Sequence, residues 1–91
     1  MSVVLHLPTV LSRLADNQRA IEFEATTVRE VIDGVAARFP ALAPRIKDEH
    51  GAPHPFINIF VNDEDIRFNG GLDAAVKDGD EVTLVPAISG G

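Results

Sequence analysis

Gly90 and Gly91, the last two residues of the 91-residue sequence, are the ones whose type and position could do chemistry. Neither has a Cβ, so a backbone that ends this way can thread a narrow channel and present an unhindered α-carboxylate. The chemistry that suits them is activation of a carboxyl group, with Gly91 as the reacting residue. The glycines alone equally suit a chain end without function, and both readings stand at this point. Just upstream, Val82-Thr83-Leu84-Val85 is β-branched and aliphatic, as a half-buried final strand requires. Pro86 has no N–H to give a sheet ladder, so the strand should stop there and the chain should leave the body of the protein.

The remaining candidates are weaker. His50 and His54 are separated by Gly51 and Pro53, which exclude the helix that would bring both imidazoles to one face. They are expected as surface loop residues holding no metal, and His6 as a strand residue facing solvent or a rim. Asp63-Glu64-Asp65 does not match a calcium loop, because the glycine needed at the sixth position is replaced by Phe68. A solvated hairpin turn is expected there instead. Asn69-Gly70-Gly71 is not followed by the Gly-Lys-Ser/Thr of a phosphate loop. No serine sits in a nucleophile elbow and no histidine has an evident acid partner. The absence of cysteine removes disulfides, thiolate–metal sites and cysteine nucleophiles together. No internal active site and no bound cofactor are expected.

Ninety-one residues suffice for one hydrophobic core and leave no room for a second. A domain of this size rarely holds both a deep pocket and a full catalytic apparatus, which favours a binding or carrier role over an enzyme. Fourteen acidic side chains against eight basic give a net charge of −6, the wrong sign for a nucleic-acid partner. It suits docking on a basic protein face. The start, Met1 to Pro8, carries no basic leader. No segment approaches the roughly 20 apolar residues of a membrane span. The expectation is a cytoplasmic monomer with neither nucleic-acid nor membrane partners.

The elements that must position the chain end follow from periodicity. Val3 to Leu7 is an aliphatic strand closed by Pro8, and Thr9 to Arg19 is a loop with some helical character, turning at Asp16-Asn17. Ala20 to Glu24 alternates Ile21 and Phe23 with acids, a half-exposed strand that should pair antiparallel with the first. Thr27-Val28-Arg29-Glu30 is a capping box opening a helix whose stripe is Val28, Val31, Ile32, Val35, Ala36 and Phe39, stopped by Pro40. Leu42 and Ile46 anchor a short second turn, and Lys47 to Pro55 is a loop. Phe56 to Val61 reads as a third strand, Asn62 to Asp65 as a tight acidic turn, and Ile66-Arg67-Phe68 as a short fourth strand. Leu72, Ala75 and Val76 supply a last apolar patch before the turn at Asp78-Gly79-Asp80. The order, two strands, one long helix and three strands, is an α+β arrangement. If the first and last strands pair in parallel, the chain end emerges from the middle of the sheet.

A small strand-rich domain with one helix, ending in Pro86-Ala87-Ile88-Ser89-Gly90-Gly91, resembles the ubiquitin-like β-grasp sulfur carriers, among them the small subunit of molybdopterin synthase and the thiamin-pathway carrier. The stretch Val61 to Phe68, Gly70-Gly71-Leu72 and Asp78-Gly79-Asp80 are most similar to the sulfur carriers of the actinobacterial cysteine pathway. Ser89 departs from that pattern, which usually has alanine before the glycines, but serine is small enough to thread. The resemblance implies a β-grasp domain over residues 1–86 and a flexible tail over 87–91 that carries the reactive carboxylate.

It also implies a chemistry. A terminal carboxylate is ionised at neutral pH and resists nucleophiles. In this family an ATP-dependent adenylating enzyme converts it to an acyl-adenylate. Sulfide, or a sulfurtransferase acting as its source, then displaces AMP and leaves a thiocarboxylate on Gly91. In the cysteine pathway that sulfur attacks an aminoacrylate held by a pyridoxal-phosphate cysteine synthase, and a zinc peptidase releases the cysteine. The catalytic groups belong to those partners. On this reading Gly91 carries the sulfur, Gly90 leaves the approach open, and Ala87, Ile88 and Ser89 set the reach. Docking falls on the sheet face and on Asp63, Glu64, Asp65, Arg67 and Phe68. Two alternatives remain, a molybdopterin synthase small subunit and a ubiquitin-like modifier joined through Gly91 to lysines.

Overall fold

The computed structural model describes residues 2–86. Five strands and three helices follow one another: β1 (Ser2–His6), α1 (Thr9–Ser12), β2 (Ala20–Glu24), α2 (Val28–Arg38), α3 (Ala43–Ile46), β3 (Ile57–Val61), β4 (Glu64–Asp65) and β5 (Glu81–Pro86), with short 3-10 turns between. The strands form one mixed sheet in the order β2-β1-β5-β3-β4. β1 pairs antiparallel with β2 and parallel with β5, which pairs antiparallel with β3 on its other edge. The central parallel pair expected as a condition for the chain end to leave mid-sheet is therefore present.

Alternation sorts each strand's side chains to two faces. Val3 and Leu5 of β1, Ile21 of β2, Ile59 of β3, and Val82 and Leu84 of β5 point to one face and are buried. There they meet Val28, Val31, Ile32 and Val35, the stripe of α2. Burying each such side chain stabilises the fold by roughly 1.5–3 kcal/mol. Leu42 and Ile46, fully buried, extend the core past the helix end. α2 lies close to β2: a Cβ added at Gly34 would come within 3.1 Å of the Phe23 ring.

The start of α2 is built as its sequence suggests. The Thr27 hydroxyl accepts from the Glu30 N–H at 3.3 Å. The Glu30 carboxylate reaches back to accept from the Thr26 N–H at 2.6 Å and the Thr26 hydroxyl at 2.9 Å. Those bonds, the Thr26 N–H foremost, hold the Glu30 carboxyl below its usual range. The helix ends at Arg38, before Pro40.

Three expectations change. Ile66-Arg67-Phe68 is a 3-10 turn, not a fourth strand; the fourth strand is Glu64–Asp65, paired with Phe60 and Val61. The reason is local, because the Asp65 carboxylate accepts from the Arg67 N–H at 2.9 Å and caps a turn where a strand would have continued. The acidic turn thereby shrinks to Asn62-Asp63. In the last apolar patch Ala74 and Val76 are buried, whereas Ala75 is exposed.

Candidate functional site

β5 is the element that positions the candidate site. It is hydrogen-bonded on both edges, with Thr83 in register with His6 on one side and Phe60 on the other. Its last residue, Pro86, is in register with Ile57 of β3. The tail residues Ala87, Ile88, Ser89, Gly90 and Gly91 lie outside the described residues, so the structure defines the root of the tail and its surroundings.

Around that root the surface is apolar. Among the described residues the large hydrophobic side chains left exposed are Val10, Phe56, Phe68 and Val85. Val85 is the residue before Pro86, and Phe56 is the residue before Pro86's partner Ile57. Val10 lies in α1, which follows the end of β1, and β1 runs parallel to β5 towards the same end of the sheet. Two of these four, Phe56 and Val85, therefore lie where β5 ends. Phe56 was expected as the first residue of β3, yet β3 begins at Ile57 and Phe56 is 66% exposed.

Opposite α2 the sheet presents Val4, His6, Asn58, Phe60, Glu81, Thr83 and Val85. His6 Nε2 lies 2.6 Å from Glu81 Oε1 across the β1–β5 pair, so His6 is at the rim of this face with an acidic neighbour that sequence reasoning missed. His50 is exposed in its loop, and His54 stacks at 5.2 Å from the Phe56 ring. Among the described residues no group of three His, Cys, Asp or Glu side chains is gathered to hold a metal ion. No described helix is long and apolar enough to cross a membrane.

The acidic turn at the far end is more internally engaged than its sequence suggests. The Asp65 side chain is only 11% exposed and takes two bonds from the Arg67 guanidinium, at 3.1 and 2.8 Å to Oδ2. This pairing pulls the Asp65 carboxyl below its usual range and raises Arg67 above its own. Glu64 accepts from the Asn69 side chain at 3.3 Å. Phe68 is 81% exposed with the Arg67 guanidinium 5.8 Å from its ring centre. Of the five docking candidates, the structure thus leaves Asp63, Glu64, Arg67 and Phe68 exposed, and uses Asp65 to hold Arg67.

Residues 5–91 match the ThiS family model. The chain belongs to the ThiS family. The sulfur carrier protein CysO of Mycobacterium tuberculosis is 40% identical over 93 residues, with the whole of both chains covered. In the crystal structure of the Amycolatopsis orientalis BexX/CysO complex, a chain 44% identical superposes with a TM-score of 0.89, covering 98% of this chain and 99% of that one. SAMP1 of Haloferax volcanii, a small archaeal modifier protein, is 29% identical with a TM-score of 0.84 and full coverage of both chains. The expected ubiquitin-like β-grasp fold and the expected sulfur-carrier family are both met.

Proposed function

We propose that this chain is a sulfur carrier serving cysteine biosynthesis, with the Gly91 carboxylate as its reactive group. The observation that carries the reading is full-length similarity to the sulfur carrier CysO, 40% identical with both chains wholly covered. The family match runs through Gly91. The placement of β5 supports it, since a central strand paired on both edges gives the segment after Pro86 a fixed root.

In this reading a Gly91 carboxylate oxygen attacks the α-phosphorus of ATP on an adenylating enzyme, and pyrophosphate leaves. Sulfide, free or from a sulfurtransferase, then attacks the acyl carbon. The C–S bond forms, the C–O bond to AMP breaks, and the terminus becomes a thiocarboxylate. The soft sulfur is next delivered to an acceptor on a pyridoxal-phosphate cysteine synthase, and a zinc peptidase cuts the product from Gly91. The chain is a cytoplasmic co-substrate in these steps and holds no cofactor of its own. Ala87 to Gly90 thread the partner's channel, and Gly90 leaves it unobstructed. The turn end, through Asp63, Glu64, Arg67 and Phe68 with Asp65 positioning Arg67, is a secondary contact.

The test is an intact mass after incubation with ATP, sulfide and the cell's adenylating enzyme. An increase matching one oxygen replaced by sulfur, absent when Gly91 is deleted, is the expected result. An unchanged mass, with the enzyme shown active on another carrier, overturns it. The likeness to SAMP1 favours a second reading, a protein modifier, which isopeptide adducts from Gly91 to lysines of other proteins would reveal.

A further inference from the structure

The apolar surface at the root of the tail has no role within the domain. Phe56 packs only loosely, its ring against His54, and its N–H donates to the His54 Nδ1 at 3.2 Å, which fixes the loop and turns the ring outward. Beside it opens a shallow groove of about 730 Å³ lined by Ala43, Pro44, Pro55 and Phe56 together with the polar side chains of residues 47–49 and 54. Exposing a phenylalanine next to such a groove works against solubility unless a partner covers it.

Chain length indicates which partner. On the sulfur-carrier reading the reacting Gly91 lies five residues past Pro86, and an extended chain of five spans at most about 17 Å. Threading four of them into a channel uses about 13 Å. The mouth of that channel must then stand within about 4 Å of Pro86, in contact with whatever surrounds it. Beside it in the chain and across the β3–β5 pair are Val85 and Phe56.

We propose that Phe56 and its groove are the seat for the channel mouth of the adenylating enzyme, which inserts an apolar side chain between Phe56 and Pro44. The proposal rests on the sulfur-carrier reading for the identity of the partner. An aromatic anchor bordered by a pocket and ringed by polar side chains is the arrangement in which few residues carry most of a binding energy. The partner fitted is an enzyme surface that is apolar at the mouth and basic at its margin, complementary to a chain of net charge −6.

The experiment is a titration of the adenylating enzyme with the full chain, first for binding without ATP and then for thiocarboxylation rate. Phe56→Ala should weaken binding and raise KM by about 10-fold, with kcat within about 2-fold. Phe56→Leu should recover most of the loss, and Lys77→Ala, exposed in the loop before β5, should change KM by less than about 3-fold. Circular dichroism and Tm should match the parent for all three, since both side chains are exposed. Unchanged binding by Phe56→Ala overturns the proposal. So does a fall in kcat alone, or tighter binding, which would mean that the groove holds this chain's own tail. If the parent binds the enzyme through Phe56 but is never thiocarboxylated, the sulfur reading falls and the seat stands.

Discussion

The two ends of the central strands are built on different principles. At the turn end, polar side chains are tied to backbone. Asn62 accepts from the Glu81 N–H at 3.1 Å, and its own N–H donates to the Glu81 carbonyl at 2.7 Å. Asp80 accepts from the Lys77 N–H at 2.8 Å, Asp78 from the Ser2 N–H at 2.9 Å, and Asp65 grips Arg67. At the tail end the corresponding positions are Val85, Pro86 and Phe56, and Val85 and Phe56 are exposed hydrocarbon. The turn end, four residues further along β3 and so roughly 13 Å away, satisfies itself. The tail end is left for something else to complete. On the proposed reading the turn end chiefly secures the fold and the tail end chiefly serves transfer, so substitutions should separate the two.

The largest effect is expected at the tail. Gly90→Ala should abolish thiocarboxylation, read by intact mass, while Tm stays at the parent value, because on the proposed reading the added Cβ obstructs the partner's channel and the substitution lies beyond the last strand. Normal charging of this variant would remove the threading argument. Next, Asn62→Ala at the turn should do the reverse. Asn62 holds φ +57°, a left-handed conformation that alanine adopts poorly, and its side chain supplies the bond to Glu81. A loss of about 1–2 kcal/mol, a drop of roughly 5–10 °C in Tm, is expected. The KM for the adenylating enzyme should stay at the parent value, and a large rise would merge the two ends into one functional surface.

The smallest effect concerns acid. Asp65 has a folded-state pKa below its unfolded value because of Arg67, so its stabilisation is present above the ordinary carboxylate range and is lost as pH falls through the folded value. Asp65→Asn should therefore lower stability slightly near neutrality and converge with the parent in acid, flattening the acid limb of the stability curve, as measured by denaturant midpoints across pH. An acid limb identical to the parent's would show that the Asp65–Arg67 pair is not part of the turn end's stability.

Much of this division is visible in the residues. The Thr27–Glu30 cap, the stripe from Val28 to Val35 and the stop at Pro40 are set by interactions within a few residues of one another, so they read directly. β1, β2 and β5 follow from alternation and proline placement in the same way. Ile66-Arg67-Phe68 misleads because its alternation suits a strand, and one carboxylate, that of Asp65, decides for a turn. Ala74 rather than Ala75 enters the core because Ala74 takes up a position defined by a distant helix, its carbonyl accepting from the Val28 N–H at 3.0 Å. Phe56 reads as a strand residue by type. A signal was present, since it is out of phase with Ile57, Ile59 and Val61 and follows Pro53-His54-Pro55, but its exposure depends on the pairing of β3 with a strand 25 residues later in the sequence.

The doubly paired position of β5 also has a mechanical meaning. Pulling on the chain beyond Pro86 draws β5 along its own axis, so the ladders to β1 and β3 bear the force in shear and must fail together. An edge strand would instead peel one bond at a time, each contributing only about 0.5–1.5 kcal/mol. On the proposed reading, in which partner enzymes grip the terminus in turn, this geometry is an advantage, because tension at the handle is borne by the whole sheet and the domain can be withdrawn intact.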